Sequence, residues 1–184
     1  MMPVLLAFSR VVDRLNEWVH RWVKWLLLAA ILLSAGNALT RKISLTSNAA
    51  LELQWYLFSA VFLICAGYAL QRGEHVKIDI LYGRLSRRTQ VIIDIAGTIL
   101  FLLPFCLVTI VLVWPDVVDR FVSGEGSSNA GGLLQWPAWA LIPVGFALLL
   151  LQGLSELIKR AAFLAGAGPD PAAVRAGDDP RAGQ

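Results

Sequence analysis

Four stretches of this 184-residue chain are apolar for long enough to cross a bilayer, and no other feature constrains its fold as tightly. They run about 22–39, 51–70, 91–114 and 137–158. At about 1.5 Å per residue, even the shortest stretch reaches about 27 Å, close to the thickness of a hydrocarbon core. Composition agrees. Apolar residues make up 57% of the chain and charged residues 16%, against roughly half and a quarter in soluble domains. Seven Trp and three Tyr also suit anchoring at membrane interfaces. The expected fold class is therefore an all-α membrane protein with four transmembrane helices.

Local signals refine the spans. Ser47 or Asn48 can cap the second, and Glu52 in its first turn is favoured by the helix dipole. Pro104 predicts a kink in the third span, because its ring displaces the carbonyl of Leu100. Pro137 suits the first turn of the fourth. Ahead of the first span, residues 1–21 read as an amphipathic helix. Leu5, Phe8, Val12, Leu15, Val19 and Trp22 form one face, and Arg10, Asp13, Arg14, Glu17, His20 and Arg21 the other. Such a helix lies in the interface before the chain turns into the bilayer. It is too long and too mixed in charge for the leader of a cleaved signal peptide. The four-helix domain thus covers 22–164. Residues 165–184, rich in Gly, Pro, Asp, Arg and Ala, are expected to be an unstructured tail.

Orientation follows from the cations. The two ends and the second loop carry 13 Lys and Arg, and the first and third loops carry 3. The positive-inside rule then puts both termini and the second loop in the cytoplasm.

Little in the chain suits catalysis. Cys65 and Cys106 stand alone in apolar stretches, so neither a CxxC redox pair nor a thiolate metal site is indicated. His20 and His75 fall outside the expected spans and cannot ligate a haem between helices. Glu52 and Asp94 each lie within a turn of an expected helix start, where a carboxylate reaches the headgroups, and no charge is expected at mid-span. The second loop includes Arg72, His75 and Asp79 but no nucleophile or phosphate-cradling Gly loop, so no catalytic residue, cofactor or metal is assigned. The third loop, Val122 to Gly132, is rich in Gly and Ser. It is long for a plain turn, which suits a contact surface as well as a structural loop.

These motifs together resemble a known family: the small membrane subunit of tripartite ATP-independent periplasmic (TRAP) transporters. The resemblance covers about residues 20–160. It rests on Glu52, on the Arg72-Gly73-Glu74-His75-Val76-Lys77-Ile78-Asp79 string, on Glu125-Gly126-Ser127-Ser128-Asn129 with Gly131-Gly132, and on Trp136-Pro137-Ala138-Trp139 leading to Ile142-Pro143-Val144-Gly145-Phe146. It implies a bacterial inner-membrane scaffold for a separate large membrane subunit. That subunit would move an organic acid anion with sodium, delivered by a periplasmic binding protein. On this reading Glu52, Arg72, His75 and Asp79 are a structural motif, and Arg41, Lys42, Glu125 and Ser127 are candidates for docking the binding protein. The alternatives are a haem-free membrane anchor of an enzyme complex and a self-sufficient small transporter working through Glu52.

Overall fold

In a computed structural model, residues 2–40, 48–74, 82, 85–129 and 131–171 can be described. The chain builds α1 (Met2–Thr40), α2 (Asn48–Arg72), α3 (Arg87–Gly97), a π-helical turn (Thr98–Leu102), α4 (Leu103–Ser123) and α5 (Trp136–Leu164). The segment α3–π–α4 is one continuous rod, so among the described residues four helical rods are long and apolar enough to cross a membrane. Each begins or ends beyond the apolar stretch that marks it in the sequence, because a helix continues past the hydrocarbon wherever no breaker stops it.

The clearest departure from expectation is α1. No turn separates the amphipathic segment from the first span, and the two form one helix of 39 residues. Between Val4 and Ala35 the sequence holds neither Gly nor Pro, so nothing interrupts the hydrogen-bond ladder. At about 1.5 Å per residue this helix is about 58 Å long, roughly twice a hydrocarbon core. Its faces are also allotted differently. Ser9, Val12, Asn16, Val23 and Ala30 are buried against the bundle, while Leu5, Phe8, Leu15 and Trp22 face outward.

Pro104 does distort its rod, through the π turn that precedes it: the Leu103 N–H bonds to the Thr98 carbonyl, five residues back. A wider turn just ahead of a proline relieves the clash of its ring with the carbonyl four residues before it. The residues after α5 also fold back. Asp170 accepts two hydrogen bonds from Arg87 at 2.6 and 2.7 Å, so the segment expected to be unstructured from 165 is anchored as far as Asp170. Residues 172–184 lie outside the described residues.

Helix α5 is the hub, packing on α1, α2 and the α3–π–α4 rod. Small residues make this possible, as they do where apolar helices meet in a membrane without a hydrophobic driving force. A Cβ on Gly145 would stand 2.7 Å from the Leu63 Cβ and 2.8 Å from its carbonyl oxygen, so α2 and α5 meet backbone to backbone there. Gly67 makes the same room for Asn16, whose Oδ1 would lie 2.5 Å from an added Cβ.

A substitution pair checks this packing. Gly145→Val should force α2 and α5 apart and cost about 1–3 kcal/mol, the usual penalty for overpacking. Gly97→Ala, with nothing within 4 Å of the new methyl, should leave stability unchanged or slightly raised. Thermal melting in detergent micelles, followed by helical circular dichroism, measures both.

Candidate functional site

Chemically active side chains collect at the two ends of the bundle. At one end, the α4–α5 connection forms an ordered lobe. Gly124 ends α4 with φ +62°, a left-handed cap that glycine adopts without strain. The chain then pairs briefly with itself: Gly126 bridges Leu134, and the Ser127 N–H donates to the Leu133 carbonyl at 2.9 Å. Glu52, in the first turns of α2, reaches into this lobe. Its carboxylate accepts from the Ser127 hydroxyl, from Asn129 Nδ2 at 2.7 Å and from the Leu133 N–H at 2.7 Å. One turn on, the Tyr56 hydroxyl donates to the Leu134 carbonyl at 3.0 Å. A carboxylate bonded by three donors at once is a strong local clamp, because charge-assisted bonds exceed neutral ones. Here it ties the lobe to α2.

Arg120 braces the lobe from α4. Its guanidinium stacks on Trp139 at 3.8 Å, donates to Gln135 Oε1 at 3.2 Å, and lies 3.9 Å from Glu125 and 4.0 Å from Asp116. Of the residues singled out from sequence, Glu52 and Ser127 are therefore in direct contact. Glu125 sits on the outer flank, half exposed and beside Arg120 rather than Glu52. Arg41 and Lys42 lie outside the described residues.

The other end holds a polar seam that the sequence reading left unassembled. Asp13 of α1 accepts from Ser155 at 3.0 Å, from Gln152 at 2.8 Å and from Lys159 at 3.1 Å, all on α5. Lys159 also meets Glu156, fully buried, at 2.5 Å. Arg160 continues the chain of charges to Glu156 at 3.7 Å and to Asp94 of α3 at 3.5 Å, with Thr98 of the π turn at 3.4 Å. Ser9 and Asn16 bond to Ser155 and Gln152 at 2.6 and 2.8 Å. Asp94, expected to look out to the headgroups, instead turns inward, because Arg160 offers it an opposite charge within the bundle. Tyr82, just ahead of the third rod, stays a neutral donor. Burial first, then its hydrogen bond to Asp94, pushes its phenol up to about 12.

A signal for this seam was present. Gln152, Ser155, Glu156, Lys159 and Arg160 recur at helical spacing on one face of an otherwise apolar helix, and Ser9, Asp13 and Asn16 do so on α1. Beside the seam, His20 stacks on Tyr68 at 3.9 Å and lies 3.7 Å from Cys65 Sγ. Arg72 donates to the Tyr68 hydroxyl at 2.9 Å. The other two members of the expected structural motif, His75 and Asp79, lie outside the described residues. Among the described residues no three His, Cys, Asp or Glu side chains gather as a metal would require.

The sequence pattern of the tripartite ATP-independent periplasmic transporters, DctQ component, matches residues 31–163. The chain belongs to this family. It is thus a small permease subunit of a TRAP transporter, a transport component. A C4-dicarboxylate TRAP transporter small permease protein from Pseudomonas aeruginosa is 25% identical over 105 residues, 56% of this chain. The match spans half the length of that relative. No solved structure matches the chain. Within the DctQ match lie Glu52 and the lobe it clamps, as well as α5 up to Arg160, whereas Ser9, Asp13 and Asn16 precede it.

Two outcomes are expected for the DctQ chain. Glu52→Ala removes the acceptor shared by Ser127, Asn129 and Leu133, so amide exchange at Leu133 should quicken several-fold while exchange in the middle of α5 is unchanged. Glu156→Ala removes the carboxylate that Lys159 and Arg160 share but leaves them Asp13 and Asp94. Unfolding in mixed detergent micelles should therefore show a loss smaller than the about 3–5 kcal/mol of a fully stranded buried charge.

Proposed function

We propose that this subunit is a fixed scaffold. It braces a large, multi-span membrane subunit that carries an organic acid anion inward with sodium, and it widens the surface on which a periplasmic binding protein docks. The observation that carries this reading is the state of the charges inside the bundle. Asp13, Glu156 and Asp94 are each held by Lys159 or Arg160 in struts between or along helices. Groups that bind and release an ion during transport must change partners. Groups locked in interhelical struts suit a part that stays still while another moves.

On this reading both termini are cytoplasmic, as the positive-inside count indicates, and the protein sits in the bacterial inner membrane. The Glu52-clamped lobe then faces the periplasm. Glu125 on its flank, with Arg41 and Lys42 of the first loop, contacts the binding protein, while Ser127 supports the surface from beneath through Glu52. Rim charges of this kind set approach rate and orientation more than residence. A C4-dicarboxylate is the first substrate to test, because the Pseudomonas aeruginosa relative is named for one.

The test is reconstitution in proteoliposomes with a large membrane subunit and a binding protein from the same organism. Uptake should require this chain and a sodium gradient, and Glu52→Gln should leave the sodium requirement unchanged. Glu125→Arg should raise the binding-protein concentration for half-maximal uptake without loss of the assembled complex. Uptake that proceeds equally well without this chain, or an altered sodium stoichiometry in Glu52→Gln, would reject the scaffold.

A further inference from the structure

The outward face of α1 carries a pattern that neither the packing nor the transport reading uses. Phe8, Val11, Leu15, Trp18, Trp22 and Trp25 are all exposed and follow one another at alternating spacings of three and four. Immediately beside this stripe, one residue earlier at each turn, run Arg10, Arg14, Arg21 and Lys24, also exposed. Glu17 is the single acid in that row, and Gln71 donates to it at 3.0 Å. None of the four cations makes an ion pair among the described residues. Lys24 instead lies 5.6 Å over the Trp25 ring, and Trp18 meets Trp22 edge-on at 6.5 Å.

Water cannot be the partner of so continuous an apolar stripe. A tightly packed helix is a poor fit too. Helix seams within membranes use small residues for close approach, and the stripe from Phe8 to Trp25 holds none. The stripe itself is bulky, with three Trp, and four cations against one acid line its edge. Tryptophan settles at the headgroup level of a bilayer, and Lys and Arg stems lie along apolar surface while their heads reach for phosphate.

We propose that the face of α1 from Phe8 to Trp25 is a binding strip for anionic phospholipid. The phosphates sit at Arg10, Arg14, Arg21 and Lys24, and the acyl chains lie against Val11, Leu15, Trp18 and Trp22. The strip fixes the depth and tilt of α1, and the Asp13–Lys159 pair passes that position on to α5. This rests on the chain being embedded in a membrane and not on its part in transport, so the two readings fail separately.

The experiment uses the full chain in phosphatidylcholine nanodiscs, free of Cys65 and Cys106 and labelled with a fluorophore at Val11→Cys. Spin-labelled phosphatidylglycerol or spin-labelled phosphatidylcholine is added at equal mole fraction. A cation near an anionic surface enriches such lipid by up to about five-fold, so the anionic probe should quench several times more strongly. Raising salt to about 1 M, where the screening length falls to about 3 Å, should bring the two probes to equality in the same sample. Replacing Arg10, Arg14, Arg21 and Lys24 with Gln should do so at low salt. Equal quenching by both probes at low salt would overturn the proposal, as would selectivity that survives the four substitutions. Absence of quenching by either would overturn it as well, because it would mean that protein, such as a second copy of the chain, covers the face.

Discussion

Lys159 stands between Asp13 of α1 and Glu156 of its own helix, and the arrangement of the bundle follows from that double contact. A largely buried ammonium is tolerated only where carboxylates and further hydrogen bonds surround it. The requirement fixes the height of α1 against α5, since a slip of one turn would part Asp13 from Lys159, Ser155 and Gln152 together. Arg160 extends the same logic to the third rod through Asp94 and Thr98. In a bilayer, where apolar faces gain nothing by choosing one another over lipid, such polar seams supply register that hydrophobic burial cannot. The remaining contacts, Gly145 on Leu63 and Gly67 on Asn16, are close approaches that the register permits.

The two ends of the bundle use charge in different ways. At the seam, opposite charges neutralise one another among helices and give rigidity. At the lobe, a single carboxylate gathers neutral donors from a loop. Glu52 thereby gives a Gly-rich connection a defined shape without burying it, and Arg120 supports it from the opposite side by stacking on Trp139. Within this DctQ chain the helical bundle is thus joined to an ordered loop at its end.

Much of this was legible in the sequence. Four apolar stretches determine four transmembrane rods, because backbone polar groups in lipid must be satisfied within a helix or a closed barrel. Cation counts imply an orientation, and the motif strings around Glu52, Gly126 and Trp136 point to the TRAP small-subunit family that the comparison then showed. Even the pairing of Glu52 with Ser127 joins two residues that the sequence had marked separately. What the sequence could not decide was which side of an amphipathic helix faces in. Periodicity defines two faces of α1, and in water the apolar one would turn inward. The helix follows neither face as a whole: Asp13, Asn16 and Val12 pack inward while Phe8, Trp22 and the cations face outward. The partner that makes this favourable, the polar stripe from Gln152 to Arg160, lies some 140 residues away, and only the tertiary structure brings the two stripes together. The same holds for Asp94, which turned inward because Arg160 waited across the helix interface.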